Sequence, residues 1–153
     1  MSDLETTRRA TSRNLVWYWL PPLAWMGIIF YLSAQPKLPA PPEPMFDLVL
    51  KKGAHFTVYA VLAFLWWRAL SRGKMADRAA LGLAFAIAVS YAISDEFHQS
   101  FVPDRRPGLS DVLIDAMGAA TATGVIGLSK SRNTKGTRSA KVTKNTSGTK
   151  LKE

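Results

Sequence analysis

Four mostly apolar stretches, each close to the length of a membrane-crossing helix, fill the first 128 residues. They run at about Leu15–Ser33, Gly53–Leu70, Ala76–His98 and Ser110–Leu128. A helix needs ~20 largely apolar residues to cross a bilayer, and helices are the way a chain of this pattern satisfies its backbone polar groups in lipid. The expected fold is therefore an all-α membrane protein, a bundle of four transmembrane helices. Trp17, Tyr18, Trp19, Trp25, Phe30 and Tyr31 fall near the two ends of the first stretch, as aromatic residues do at membrane–water interfaces. Pro21-Pro22 predict a kink there, which neighbouring helices tolerate.

The hydrophobic fraction, 48%, averages two unlike parts. Residues 15–128 carry nearly all of it. From Lys130 to Glu153 there are six Lys and two Arg against one Glu, a net of +7 out of +9 for the whole chain. The high pI thus belongs to a tail without apolar periodicity, expected to be disordered. Three parts follow: a cytoplasmic N-terminal segment 1–14, a transmembrane domain 15–128 and a basic cytoplasmic tail 129–153. Such a tail attracts anionic lipid. It lacks the aromatic interleaving of a single-strand nucleic-acid binder, so no nucleic-acid partner is expected.

With no cysteine in the chain, disulfides, thiol chemistry and Cys-based zinc sites are excluded. Arg8, Arg9 and Arg13 precede the first apolar run like the start of a signal peptide. The length of the run, Pro21-Pro22 and a poor cleavage sequence at Leu32-Ser33-Ala34 predict an uncleaved helix. Five of the nine prolines lie between Gln35 and Pro44, predicting an extended connection. Shorter turns are expected at Ser71–Met75 and at Phe101–Leu109.

Lys and Arg near the helix ends set orientation. Arg8, Arg9, Arg13, Arg68, Arg72, Lys74, Arg78 and the tail lie on one side. Lys37, Lys51, Lys52, Arg105 and Arg106 lie on the other. Both termini are therefore expected in the cytoplasm. This arrangement sends the polar residues of every segment to one outer face: Ser33 and Gln35, then His55, then Asp95-Glu96-Phe97-His98-Gln99, then Asp111 and Asp115.

Asp95 and Gln99 are four apart and share a helix face, as do Asp111 and Asp115. Ser110 is a candidate N-cap, and the helix dipole favours Asp111 beside it. Asp115 lies deeper, where a carboxylate needs a partner. Arg105 is the natural partner for Glu96 or Asp111. His55 and His98 should lie at similar depth, but their spacing is not that of a metal or haem site, and neither a metal nor another cofactor is expected. The small residues Gly118, Ala119 and Ala122, with Ala120 and Gly124 four apart, permit close helix packing and need no chemical role.

The run Asp95-Glu96-Phe97-His98-Gln99-Ser100-Phe101-Val102-Pro103-Asp104-Arg105, followed by Asp111-Val112-Leu113-Ile114-Asp115-Ala116-Met117-Gly118-Ala119, closely resembles the VanZ-like family. Lys52, His55, Tyr59 and Leu62 resemble its second-helix pattern, and Ser33 with Gln35 its Ser-x-Gln. The resemblance covers about residues 20–125. Asp115 stands where Asn is commoner, and Asp104 where Gly is usual, beside an extra Arg106. The resemblance implies a multi-pass protein of the bacterial plasma membrane, in a family whose namesake is linked with teicoplanin resistance.

Three functions from different classes are consistent with these residues. In the leading one, His55, Asp95, Glu96, Gln99, Arg105, Asp111 and Asp115 bind a lipid headgroup or a lipid-linked cell-wall intermediate, with Arg105 and Arg106 on its phosphate. In the second, a membrane enzyme acts on such a lipid, with Glu96 as general acid or base and His55 or His98 as partner. In the third, the charges only lock a structural or assembly subunit together.

Overall fold

The computed structural model describes residues 2–35, 44–72, 75–103, 105 and 108–149. Four helices make up its regular structure: α1 Ser2–Ser33, α2 Pro44–Leu70, α3 Asp77–Gln99 and α4 Leu109–Thr149. The all-helical expectation holds. Three helices contain segments long and apolar enough to cross a membrane, Leu48–Leu70, Asp77–Gln99 and Leu109–Asn133.

Helix bounds depart from the apolar pattern in instructive ways. α1 begins at Ser2, not near Leu15, and continues through Pro21 and Pro22. Pro22 is fully buried. α2 begins nine residues before Gly53, at Pro44, a residue whose fixed φ and missing N–H suit a first helical turn. The extended connection expected before it falls on residues 36–43, outside the described residues. α4 stays helical past Leu128, where a disordered tail was expected. Apolar periodicity reports where a helix can be buried, not where backbone hydrogen bonding stops.

The chain divides into two compact units, Met1–Thr123 and Gly124–Glu153. In the first, the core is built on an alanine stripe. Ala80, Ala84, Ala88 and Ala92 recur every four residues on α3 and are all fully buried. Such small side chains let neighbouring backbones come close, which is how packing and interhelical hydrogen bonds drive association in lipid. Tyr59, Leu62, Ala63 and Trp66 of α2, Ile29 of α1 and Ala119 of α4 join the same cluster. Trp25 Nε1 donates to the Val58 carbonyl at 3.0 Å, and the Tyr91 hydroxyl to the Met26 carbonyl at 2.7 Å. These bonds pin α1 to both α2 and α3.

Contacts show the sense of the packing. The first part of α1 meets the last part of α2: Trp19 lies edge-on to Trp66 at 5.8 Å, and Tyr18 is faced by Arg68 and Arg72 at 4.9 and 4.3 Å. The end of α1 meets the start of α2 and the end of α3. α1 and α2 are thus antiparallel, and α3 runs back alongside α1.

At Gly118, α4 lies tight against the backbone of α2. A Cβ there would collide with the backbone carbonyl of Phe56, whereas Gly27 and Gly82 have open space around them. Gly118→Ala should therefore destabilise the bundle by about 1–3 kcal/mol, the usual cost of overpacking. Gly82→Ala should be neutral or mildly stabilising, since Ala is the better helix former. Thermal unfolding of the purified protein in detergent checks both, and equal melting temperatures for Gly118→Ala and wild type would refute the contact.

Candidate functional site

On α3 the buried stripe changes chemistry in its last turn and a half. After Ala92 the buried positions are Asp95, Glu96 and Gln99. A stripe on α2 does the same in reverse: Lys52, His55 and Tyr59 precede Leu62 at spacings of three and four. Both polar sections lie at the end of the bundle where α1 finishes and α4 starts, so the four helices bring their polar residues together.

Several of these groups have definite partners. Nδ1 of His55 and Oδ1 of Asp115 share a hydrogen bond at 3.2 Å. With Asp115 ionised, Nδ1 carries the proton of this bond. Asp115 is only 1% exposed and His55 is about three-quarters buried. One turn nearer the helix ends, Lys52 Nζ lies 2.8 Å from Asp111 Oδ1, with both side chains about one-third exposed. α2 and α4 are thus joined by a two-rung ladder, positions 52 and 55 facing 111 and 115. On α3, Gln99 Nε2 donates to Asp95 Oδ2 at 3.0 Å.

The expected pairing of Arg105 with Glu96 or Asp111 does not form. Glu96 Oε2 instead accepts the backbone N–H of Gly108 at 2.9 Å, closing the connection between α3 and α4. The Phe101, Val102 and Arg105 amides turn the chain back in steps onto His98, Gln99 and Val102 carbonyls. This leads Arg105 toward α1, where its Nε and Nη2 donate to the Gln35 and Leu32 carbonyls, each at 3.3 Å. The guanidinium thus adds donors to the α1 C-terminus, where the Leu32 carbonyl also accepts the Gln35 amide. Nor is Ser110 the cap of α4: it lies inside the helix, and the Asp111 amide donates to the carbonyl of Gly108.

A cavity of about 390 Å³ opens at this end, within the ~300–1,000 Å³ range of small-molecule sites. Ser33, Tyr59, Asp95, Gln99 and His55 line it together with Lys51, Lys52, Arg105 and Asp111, and Ile29, Leu32, Leu48, Ala54 and Val58 supply its apolar wall. Leu32 and Leu48 are exposed, whereas Ser33, Tyr59, Asp95 and Gln99 are buried. The cavity therefore has a greasy lip, a basic rim and a deep polar floor.

The candidate residues divide accordingly. His55, Asp95, Gln99, Arg105 and Asp111 line the cavity. Asp115 stands behind His55, and Glu96 serves the α3–α4 connection. His98 is directed elsewhere, stacked on Phe30 with ring centroids 4.4 Å apart. Arg106 and Asp104 lie outside the described residues. Among the described residues no cluster of His, Asp and Glu is suited to a metal ion. Ser33, Lys52 and Tyr59 were not among the expected site residues. The 52–55–59 spacing was the available signal, since it puts Lys52 and Tyr59 on the same face as His55.

The two rungs should differ in strength. Exposed pairs couple by about 0.2–1 kcal/mol, whereas buried groups in one hydrogen-bond network couple by about 0.5–3 kcal/mol. Double-mutant cycles on unfolding, His55→Ala with Asp115→Ala and Lys52→Ala with Asp111→Ala, should give the larger coupling for the buried pair. Couplings of the reverse order would contradict this geometry.

Comparison with known proteins supports the pattern found in the residues. No curated protein and no solved structure matches the chain. The family model VanZ/LLP1 matches residues 4–130, a longer reach than the resemblance at about 20–125 and one that takes in every residue of the cavity. With a fold of apolar helices compatible with a multi-pass membrane protein, the chain belongs to the VanZ/LLP1 family.

Proposed function

We propose that this chain is a bacterial cell-envelope protein of the plasma membrane. In this reading it crosses the membrane four times with both termini in the cytoplasm, and its cavity recognises the headgroup of a membrane lipid or lipid-linked cell-wall intermediate. The cavity itself carries the reading: basic groups at the rim, polar groups on the floor and exposed leucines at the lip suit a molecule that is part phosphate, part polar and part acyl or prenyl chain.

Arg105 is the main anion-binding residue. Two of the five guanidinium N–H donors are used on Leu32 and Gln35 carbonyls, and the others remain for a phosphate, which Arg binds as a fork. Lys52 shares the task, its charge partly offset by Asp111. α1 supplies the fourth span. Residues 16–33 pack against α2 and α3 through Trp19, Trp25, Met26 and Ile29. The opposite end of the bundle, with Arg68 and Arg72 on Tyr18, is the cytoplasmic end by the distribution of positive charge.

A catalytic alternative draws on one specific observation. His55 lines the cavity while Asp115 holds its Nδ1, an arrangement that orients an imidazole as a general base. Glu96, held by Gly108, is then a positioning residue. In this version His55→Asn abolishes conversion of a lipid substrate and Glu96→Gln does not, as read by product analysis of purified protein in nanodiscs.

Two measurements test the main reading. Native mass spectrometry of protein released from nanodiscs should show bound phospholipid or polyprenyl phosphate in wild type and at least ~10-fold less in Arg105→Ala, the loss of one charge-assisted hydrogen bond being worth ~1.5–3 kcal/mol. Retention unchanged in a folded Arg105→Ala would remove the basis of the proposal. In cells, glycopeptide susceptibility of the same variant is the physiological readout. For orientation, the chain has no native cysteine, so a single introduced one reports its own accessibility. Leu109→Cys should react with an impermeant maleimide on intact cells and Met75→Cys should not. The opposite pattern would invert the topology.

A further inference from the structure

The floor of the cavity has a specific imbalance. Asp95 is 5% exposed, and only its Oδ2 is satisfied, by Gln99. Oδ1 has no hydrogen-bond partner among the described residues, and the same holds for the buried Ser33 Oγ and the Tyr59 hydroxyl. All three side chains line the cavity. The Tyr59 hydroxyl lies close enough to the Asp95 carboxylate to interact with it, but outside good hydrogen-bond geometry.

Lys52 is engaged with Asp111 and Arg105 with the end of α1, and no side chain among the described residues bonds Asp95 Oδ1. A buried carboxylate without a countercharge is costly, more so within a membrane-spanning helix. Protein groups that leave such an oxygen open, facing a cavity, suit a ligand that brings positive charge and hydrogen-bond donors.

We propose, building on the headgroup reading above, that the floor formed by Asp95, Ser33 and Tyr59 selects a headgroup bearing a primary ammonium, while Lys52 and Arg105 hold its phosphate. The ligand class is an aminoalkyl phosphate lipid. A primary ammonium has three N–H donors, and the floor offers three acceptor atoms, one of them a carboxylate oxygen. A metal ion is a poorer match, because Asp95 is the only carboxylate on the floor and no metal-binding cluster exists among the described residues. A basic rim and an acidic floor in one cavity match a zwitterion, whereas a plain phosphate monoester or a glycerol headgroup would leave Asp95 uncompensated. Exposed Leu32 and Leu48 at the lip favour the lipid form over a soluble one.

The test uses full-length protein in nanodiscs of phosphatidylethanolamine, phosphatidylcholine and phosphatidylglycerol in equal amounts, with acyl chains of distinguishable mass. Native mass spectrometry then reads which lipid is retained. Phosphatidylcholine keeps the charge but has no N–H, and phosphatidylglycerol has hydroxyl donors without the charge. Wild type should retain phosphatidylethanolamine over each of the others by ~10-fold or more, consistent with a charged hydrogen bond. Asp95→Asn, which preserves shape and an oxygen for Gln99, should bring the ratio to within ~2-fold while total retained lipid persists on Lys52 and Arg105.

Ser33→Ala and Tyr59→Phe, each removing one hydroxyl, should lower the preference without erasing it. They decide the matter if Asp95→Asn does not fold. Equal retention of the three lipids by wild type, or an unchanged preference in Asp95→Asn, would overturn the proposal and leave headgroup recognition standing. Retention of no lipid at all by wild type would overturn both. Free phosphoethanolamine bound in preference to the lipid would overturn the lipid assignment.

Discussion

The burial of carboxylates at one end of an otherwise apolar bundle is the constraint on which the rest of this structure depends. Asp95, Glu96 and Asp115 are all largely hidden from solvent, and each needs donors that lipid cannot supply. Each solution ties down a different part of the chain. Glu96 takes the Gly108 amide and closes the α3–α4 connection. Asp115 takes His55 and sets how far α4 slides along α2. Asp95 takes Gln99 on its own helix and keeps its other oxygen for the cavity. The close approach at Gly118, less than one turn beyond Asp115, brings α4 against the Phe56 backbone in the same register.

That end of the bundle can be polar because the remainder is packed so closely. The alanine stripe of α3 needs little volume, and side-chain-to-carbonyl hydrogen bonds from Trp25 and Tyr91 tie α1 to α2 and α3. When the stripe turns to Asp95, Glu96 and Gln99, the same close spacing holds these groups in fixed positions around a cavity. Arg105 completes the arrangement from the connection after α3, reaching 70 residues back to the end of α1. The cavity is thus the place where the packing rule of the bundle changes, not an addition to it.

Much of this was legible beforehand, for identifiable reasons. Length and apolarity locate α2, α3 and the first part of α4, and four-residue spacing correctly joins Asp95 with Gln99 and puts Asp111 and Asp115 on one face. Partner choice across helices was not legible. Opposite charges close in sequence pair Arg105 with Glu96 or Asp111, but carbonyls at the end of α1 and a backbone amide of the connection compete for the same groups. The competitors are backbone atoms and leave no mark in composition. Helix bounds were missed where polar segments remain helical, as before Leu15 and after Leu128. Tyr59 and Ser33 fall outside the expected site because an uncharged hydroxyl in an apolar run carries only the weak signal of its spacing until its neighbours are in place.

Mapping contact by photo-crosslinking tests the central claim, that the cavity is a headgroup site, most directly. A phospholipid carrying a diazirine on its headgroup, irradiated with the protein in nanodiscs and analysed by peptide mass spectrometry, reports which residues the headgroup touches. Headgroup recognition predicts adducts on the end of α1 and the first two turns of the α2 cavity face, around Ser33, Lys52, His55 and Tyr59. Adducts confined to the outer perimeter of the helices, or to the opposite end around Tyr18 and Arg68, would contradict it.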